Sequence, residues 1–120
     1  MGIIGTHALL YTSDPEALRA VFRDVFGWSH VDAGGGWLIF ALPPAELGVH
    51  PVDAPADGAP PPHQLTLMCD DIHATVSELR AKGLEVRGEP EAQGFGLTTT
   101  LVLPGGVEIM LYQPRHPTAI

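Results

Sequence analysis

The sequence has one cysteine, few basic residues and no long apolar run, and each shortage excludes a class of protein. A single cysteine, Cys69, excludes an intrachain disulfide and a cysteine-rich zinc site, and it suits a reducing compartment such as the cytoplasm. Six Lys plus Arg against 14 Asp plus Glu give a net charge of −8, which argues against nucleic acid as a partner. No apolar run approaches the about 20 residues of a membrane span, and no basic leader precedes one, so neither membrane insertion nor export is predicted.

The sequence contains a tandem repeat of one strand-helix pattern. Residues 7–14 read HALLYTSD and lead into an amphipathic helix pattern that ends at Gly27. Residues 64–71 read QLTLMCDD and lead into a second such pattern that ends at Gly83. A repeat of this length is a supersecondary unit with an apolar face, so the two copies must pack on each other or on a second chain.

Capping and turn residues define the elements within each copy. Asp14 followed by Pro15 predicts a helix over 15–26, and Asp70 or Asp71 predicts one over 71–82. Punctuation by Gly and Pro then predicts further strands, over 28–33, 36–42 and 46–50 in the first copy and over 84–88, 96–103 and 107–113 in the second. One domain over 1–120 is expected, with β-α-β-β-β units at 5–50 and 63–114 and a proline-rich linker at 51–62.

The tandem order resembles the vicinal oxygen chelate superfamily, which includes glyoxalase I, extradiol dioxygenases, fosfomycin resistance enzymes and bleomycin resistance proteins. The likeness extends from about Gly5 to Tyr112 and includes a His at the start of the first strand, the junction Ser13-Asp14-Pro15, and the segments LMCDDI at 67–72 and LYQPR at 111–115. It implies an α+β fold in which two βαβββ modules curve their sheets around a cup-shaped cavity. The superfamily contains both metalloenzymes and metal-free binding proteins, so the fold alone does not assign a function.

The resemblance also implies where a metal would be held, namely by the first and last strands of each module. It places His7 and Gln64 at the first-strand positions, and Gly48 and Met110 at the last-strand positions. Glycine has no donor side chain, and a thioether suits soft Cu(I) better than divalent Zn, Fe, Mn or Ni. The four-ligand site is therefore broken in this sequence, and no cofactor is favoured.

Strand parity leaves an alternative open. Side chains at i and i+2 share a face, so His50 and Glu108 would point the same way as Gly48 and Met110. A displaced divalent-metal site built from His7, His50, Gln64 and Glu108 would suit a metal-dependent lyase, of glyoxalase type, or an extradiol dioxygenase-like enzyme.

Without a metal, the cup is predicted to bind a small molecule. Parity and flanking glycines give the expected lining, in which aromatic, thioether and a few polar side chains face one space: His7, Leu9, Tyr11, Trp37, His50, Gln64, Thr66, Met68, Phe95, Met110 and Tyr112. This lining favours a cytoplasmic protein that sequesters a hydrophobic or aromatic compound, as in antibiotic resistance, and no catalytic residue is assigned. A homodimer is expected, because two open half-cups gain by closing across a twofold axis.

Overall fold

The structure is a computed structural model that describes residues 2, 7–49, 51, 53, 56–59 and 62–120. Within these residues the fold is mixed α+β, as the sequence predicts, and its elements follow the order of the repeat. They are α1 (Pro15–Ala20), a π-helix (Val21–Val25), β1 (His30–Asp32), β2 (Leu38–Phe40), β3 (Thr66–Met68), α2 (Ile72–Ala81), β4 (Glu85–Gln93), β5 (Gly96–Leu103) and β6 (Val107–Pro114).

The second copy of the repeat forms every element that its sequence predicts. Its strands make one sheet in the order β3-β6-β5-β4, in which β3 and β6 are parallel and the other pairs are antiparallel. The pairing of β4 with β5 shifts register between Arg87 and Glu91, and such an irregularity bends a strand. The Asp71 side chain accepts the backbone N–H of Ala74 at 3.1 Å and so caps α2.

The hydrophobic core lies between this sheet and the two helices. Alternate residues of β5 and β6 point into it, as the period of a strand requires. Leu18 of α1 joins this core, so both copies contribute to it. The buried members are Leu18, Ile72, Val76, Leu79, Leu84, Val86, Leu101, Leu103, Ile109 and Leu111.

The first helix is shorter in its α-helical part than the sequence predicts. Asp14 accepts the Ala17 N–H at 3.2 Å as expected, but after Ala20 the backbone widens into a π-helix that ends at Val25. In this wider turn the rings of Phe22 and Phe26 each lie 5.1 Å from the ring of Trp28. Packing of the three rings accompanies the departure from α-helix, and both phenylalanines stay half-buried at the edge of the core.

The predictions of a first strand near residues 7–11 and of a last strand at 46–50 are wrong for the residues that the structure describes. Residues 7–11 and 46–49 have no regular structure, and His50 lies outside the described residues. In the second copy the equivalent strands, β3 and β6, hold each other as a parallel pair. In the first copy neither segment has such a partner, and Leu47 and Val49 are 91% and 92% exposed. Between described residues, neither segment therefore makes the backbone bonds of a strand.

A tight junction joins the two copies where the turn between β5 and β6 meets the start of α1. Thr12 Oγ1 donates to the carbonyl of Pro104 at 2.8 Å and accepts the N–H of Asp14 at 3.1 Å. Gly105 lies against this junction with φ of +83°, and a Cβ at this position would lie 2.8 Å from the Asp14 nitrogen. Only glycine fits both the backbone conformation and the space.

Candidate ligand-binding cavity

The face of the sheet opposite the core presents an alternating row of side chains from its two parallel strands. Thr66 pairs in register with Met110, and Met68 pairs with Tyr112. Their sequence neighbours on β6, Ile109 and Leu111, are buried in the core, so Met110 and Tyr112 point the other way. This parity gives one face of the molecule a floor of threonine, methionine and tyrosine.

A cavity of about 990 Å³ lies over this floor. Its opposite wall is an extended arm, residues 42–49, and its end is formed by Phe95 and by two residues that follow β6, His116 and Ile120. Most of the lining is apolar, and the polar side chains are few: Glu46, Gln64, Thr66, Tyr112 and His116. An apolar concavity with a few polar groups is the general form of a small-molecule site.

One hydrogen bond ties the arm to the segment after β6. Glu46 Oε2 accepts the backbone N–H of Ala119 at 2.6 Å. A carboxylate that accepts a backbone N–H makes a charge-assisted bond, which is stronger than a neutral one. The arm is therefore held across the cavity by a side chain that also lines it.

Tyr112 is the centre of a small aromatic group at the end of the cavity. Its ring and that of Phe95 make a T-shaped contact at 5.7 Å, and it stacks against His116 at 5.9 Å. His116 Nδ1 lies 2.8 Å from the carbonyl of Pro117, which is only an acceptor, so Nδ1 carries the proton of the neutral ring. His116 Nε2 is then the acceptor for the Tyr112 hydroxyl, 3.2 Å away.

Burial, and after it the negative charge of Glu46, raises the pKa of Tyr112 above its ordinary value. The hydroxyl therefore stays protonated and neutral at physiological pH, and it keeps its role as the donor to His116. Its side chain is part of the cavity lining.

Six of the eleven residues predicted from the sequence line this cavity. Four lie on β3 or β6, where strand parity is a sufficient guide; Gln64 precedes β3 and Phe95 lies in the turn between β4 and β5. The six are Gln64, Thr66, Met68, Phe95, Met110 and Tyr112. The sequence did not predict that the arm forms one wall of the cavity. It also did not predict that residues after β6 close the end of the cavity. The alternation of Leu47 and Val49 marks the arm as extended, but no pattern in the sequence marks where it lies.

Four predicted residues lie elsewhere, and His50 is outside the described residues. His7, Leu9 and Tyr11 are exposed and do not line the cavity, since the strand expected to carry them does not form. Trp37 is 59% exposed on the hairpin of β1 and β2, with the guanidinium of Arg19 5.1 Å from its ring centre. The first copy thus contributes its arm to the cavity rather than its first strand.

The described residues do not fit a bound divalent metal. Glu108 pairs with Arg87 and does not line the cavity, whereas Gly48 and Met110 do line it but offer no hard or borderline donor. Among the residues that the structure describes, no three His, Cys, Asp or Glu side chains are grouped closely enough to hold an ion.

The chain belongs to the Glyoxalase/Bleomycin resistance protein/Dioxygenase superfamily, whose model matches residues 6–111. This agrees with the resemblance and with the mixed sheet. No curated protein matches the chain. Within the described residues, no helix is long and apolar enough to cross a bilayer.

Solved structures of the same superfamily resemble the chain over nearly its whole length. TnmS3, an antibiotic binding protein from Streptomyces sp. CB03234, is 25% identical with a TM-score of 0.64, and the match covers 95% of this chain and 98% of that one. A lactoylglutathione lyase from Agrobacterium tumefaciens is 20% identical with a TM-score of 0.63, covering 94% of both chains. A superfamily member from Sphaerobacter thermophilus is 19% identical with a TM-score of 0.61, covering 94% and 99%. The last two show the fold alone.

Proposed function

We propose that this protein binds a hydrophobic or aromatic small molecule in the cavity over β3 and β6 and sequesters it without chemical change. The observation that carries the proposal is the cavity itself, which is about 990 Å³ in volume and mostly apolar. Drug-sized ligands occupy pockets of about 300–1,000 Å³, so the space suits a molecule of several fused or linked rings.

The chemistry of the lining favours aromatic ligands. Met68 and Met110 are flexible and polarisable, and thioethers make favourable contacts with aromatic rings. Phe95 and Tyr112 already meet edge to face, and a planar ligand can extend that arrangement. Gln64 and Thr66 supply hydrogen-bonding groups at one side of the floor.

The likeness to TnmS3 supports the same conclusion. That protein is described as antibiotic binding, and it matches 95% of this chain. A resistance role of this kind needs only tight, reversible binding and no reacting group. The ligand class proposed here, a hydrophobic or aromatic compound with the properties of an antibiotic, is consistent with that neighbour.

We propose further that binding is independent of a metal, because two of the four inherited ligand positions are Gly48 and Met110. The test is a thermal-shift screen of EDTA-treated protein against soluble bicyclic and tricyclic aromatic compounds of differing charge. A compound that binds the folded state raises Tm by mass action, about 2.7 kcal/mol of added stability at a hundred times its Kd. Binding or turnover that returns only with added Zn, Fe, Mn or Ni would contradict the proposal and favour the metal-dependent lyase or dioxygenase.

Matched variants locate the site. Met110→Trp fills the cavity floor and should abolish the ligand-induced rise in Tm. Val102→Trp is the control, since Val102 lies on the same sheet face, in register with Glu108, but outside the cavity lining. His7→Ala should leave binding unchanged, because His7 is exposed and away from the lining, whereas a metal site built on His7 would lose its ion.

We also propose that the protein is a cytoplasmic homodimer. Leu47 and Val49 on the arm are almost fully exposed, and a second copy would cover them. Sedimentation velocity should give a dimer for the wild type, a monomer for Leu47→Lys with Val49→Lys, and a dimer for the control Val31→Lys on the exposed β1. A wild-type monomer at every concentration would contradict this part of the proposal.

A further inference from the structure

We propose that the ligand of this cavity is a bulky aromatic cation and that Glu46 is its counter-ion. The inference rests on the proposed function and deepens it, since it names the chemical class that the same cavity selects. It follows from the position of one carboxylate, from the groups beside it and from the charges that the lining lacks.

Glu46 is half-buried in the wall of an apolar cavity, and only one of its two oxygens is used. Oε2 accepts the N–H of Ala119 at 2.6 Å, while Oε1 has no hydrogen-bond partner in the described part of the chain. Of the described residues that line the cavity, Glu46 is the only acidic one, and none is a lysine or an arginine. The cavity therefore holds a carboxylate whose charge no neighbouring cation in the lining balances.

The aromatic end of the cavity offers the second element of cation recognition. The Tyr112 hydroxyl donates to His116 Nε2, so its oxygen presents lone pairs to the cavity. The ring faces of Tyr112 and Phe95 carry the negative part of the aromatic quadrupole and attract a cation within about 6 Å. Glu46 contributes to the raised pKa of Tyr112, which places its charge within electrostatic reach of that ring.

The balance of charges decides the sign of the ligand. A carboxylate in an apolar wall loses hydration, and a cation that enters restores a favourable interaction where an anion is repelled. The net charge of −8 adds attraction of the same sign at long range. Aromatic and aliphatic lining then favours a cation whose charge is surrounded by rings over a small hydrated one.

Tetraphenylphosphonium and tetraphenylborate are a suitable pair of probes, because they have nearly the same size and shape and opposite charge. Calorimetric titration of each into the EDTA-treated full chain should show that the phosphonium binds at least about tenfold more tightly, equivalent to about 1.4 kcal/mol. The preference should shrink at high salt. This comparison is made on the wild type and does not depend on the folding of any variant.

Glu46→Gln removes the charge but keeps an amide oxygen for the Ala119 N–H. It should weaken phosphonium binding by about tenfold and leave borate binding equal or stronger. Glu91→Gln, on the exposed outer strand β4, changes the net charge equally and should leave the phosphonium affinity unchanged. Loss of affinity in both variants would mean that only the overall field matters, and it would overturn the role of Glu46.

The experiments distinguish failure of the cation preference from failure of the proposed small-molecule binding. Equal binding of both ions by the wild type overturns the cation inference and leaves the proposed function standing. Binding of neither ion, together with no Tm rise from any aromatic compound, overturns the proposed function and the inference with it. Preference for the phosphonium that disappears in Glu46→Gln alone supports both.

Discussion

The two copies of the repeat differ in how much of their sequence pattern becomes structure. The second copy forms a four-stranded sheet whose inner face is buried against α2, with Leu101 fully buried. The first copy forms its helix and a short hairpin, and its outer segments, residues 7–11 and 46–49, pair with no described strand. Similar sequence patterns thus form a sheet in the second copy and an unpaired arm in the first, and the cavity lies between the sheet and the arm.

The difference shows that strand formation in this chain depends on the neighbouring strand more than on the local pattern. Leu47 and Val49 alternate with a charged and a small residue, as side chains of a strand would. Pro43 and Pro44 precede this run, however, and no described strand pairs with it. In β6 a comparable apolar run lies between two partners, β3 and β5. The unpaired segment instead lines the cavity as the arm.

The largest effect is expected from a substitution in the core of the second copy, which we expect to contribute most of the free energy of unfolding. Leu101→Ala, at the centre of β5, should lower the free energy of unfolding by about 2–5 kcal/mol because it leaves a cavity in a closed core. Leu9→Ala, at a 60% exposed site in the first half, should stay within about 0.5 kcal/mol of the wild type. Urea denaturation measures both, and equal losses would show that the halves are packed alike.

The next effect tests the junction between the halves. Gly105→Ala should destabilise the protein by more than the about 1–2 kcal/mol that a positive φ costs, because the new Cβ also meets the backbone of the Asp14 junction. Gly106→Ala is the control, since Gly106 has φ of +79° but open space around its Cα. If denaturation midpoints of the two variants coincide, the contact does not join the halves.

A smaller effect concerns Tyr112 and the end of the cavity. Tyr112→Phe removes the bond to His116 and should cost about 0.5–1.5 kcal/mol of stability. Because the folded-state pKa of Tyr112 is raised, the folded state keeps its proton longer, and stability should fall as pH rises above the ordinary tyrosine pKa of about 10.

Ultraviolet absorbance titration in a Tyr11→Phe background isolates Tyr112, the other of the two tyrosines. Glu46→Gln should move its titration to lower pH, since one cause of the raised pKa is then removed. A Tyr112 that titrates at or below the ordinary tyrosine pKa would contradict a hydroxyl that is partly buried near Glu46.

The smallest expected effect is at an exposed ion pair that joins β6 to β4 across β5. Glu108→Gln breaks the ion pair with Arg87, but both side chains are well exposed, at 46% and 61%. Exposed pairs contribute about 0.2–1 kcal/mol, so the change in the free energy of unfolding should fall in that range and vanish at high salt. Loss of a bound metal in this variant would instead place Glu108 in a metal site.

The sequence correctly predicted the elements that are specified by local signals such as caps, turns and alternation. The strand predicted over 96–103 matches β5, and α2 differs from its predicted range by one residue at each end. Parity on β3 and β6 likewise identified Met68 and Met110 as lining residues. These depend on caps, turns and alternation, which the chain carries in its own residues.

The features that the sequence did not predict depend on contacts in the folded protein. The π-helical turn contains Phe22 and is followed directly by Phe26 and Trp28, and periodicity does not specify how these rings pack. The arm pairs with no strand in the described part of the chain, and its sequence does not show that it lacks a partner. Glu46 was predicted only as the start of a strand, because its bond to Ala119 joins segments more than 70 residues apart. Such contacts leave no periodic signal.

The proposed function requires that an aromatic ligand contact Met68 and Met110 in the cavity. Methyl-labelled methionine spectra test it directly, with Met68 and Met110 assigned through their Leu variants among the three methionines of the chain. On addition of an aromatic compound that raises Tm, we predict that the methyl resonances of Met68 and Met110 shift by ring currents, in EDTA and without added metal. Saturable binding that leaves both resonances in place would contradict the claim.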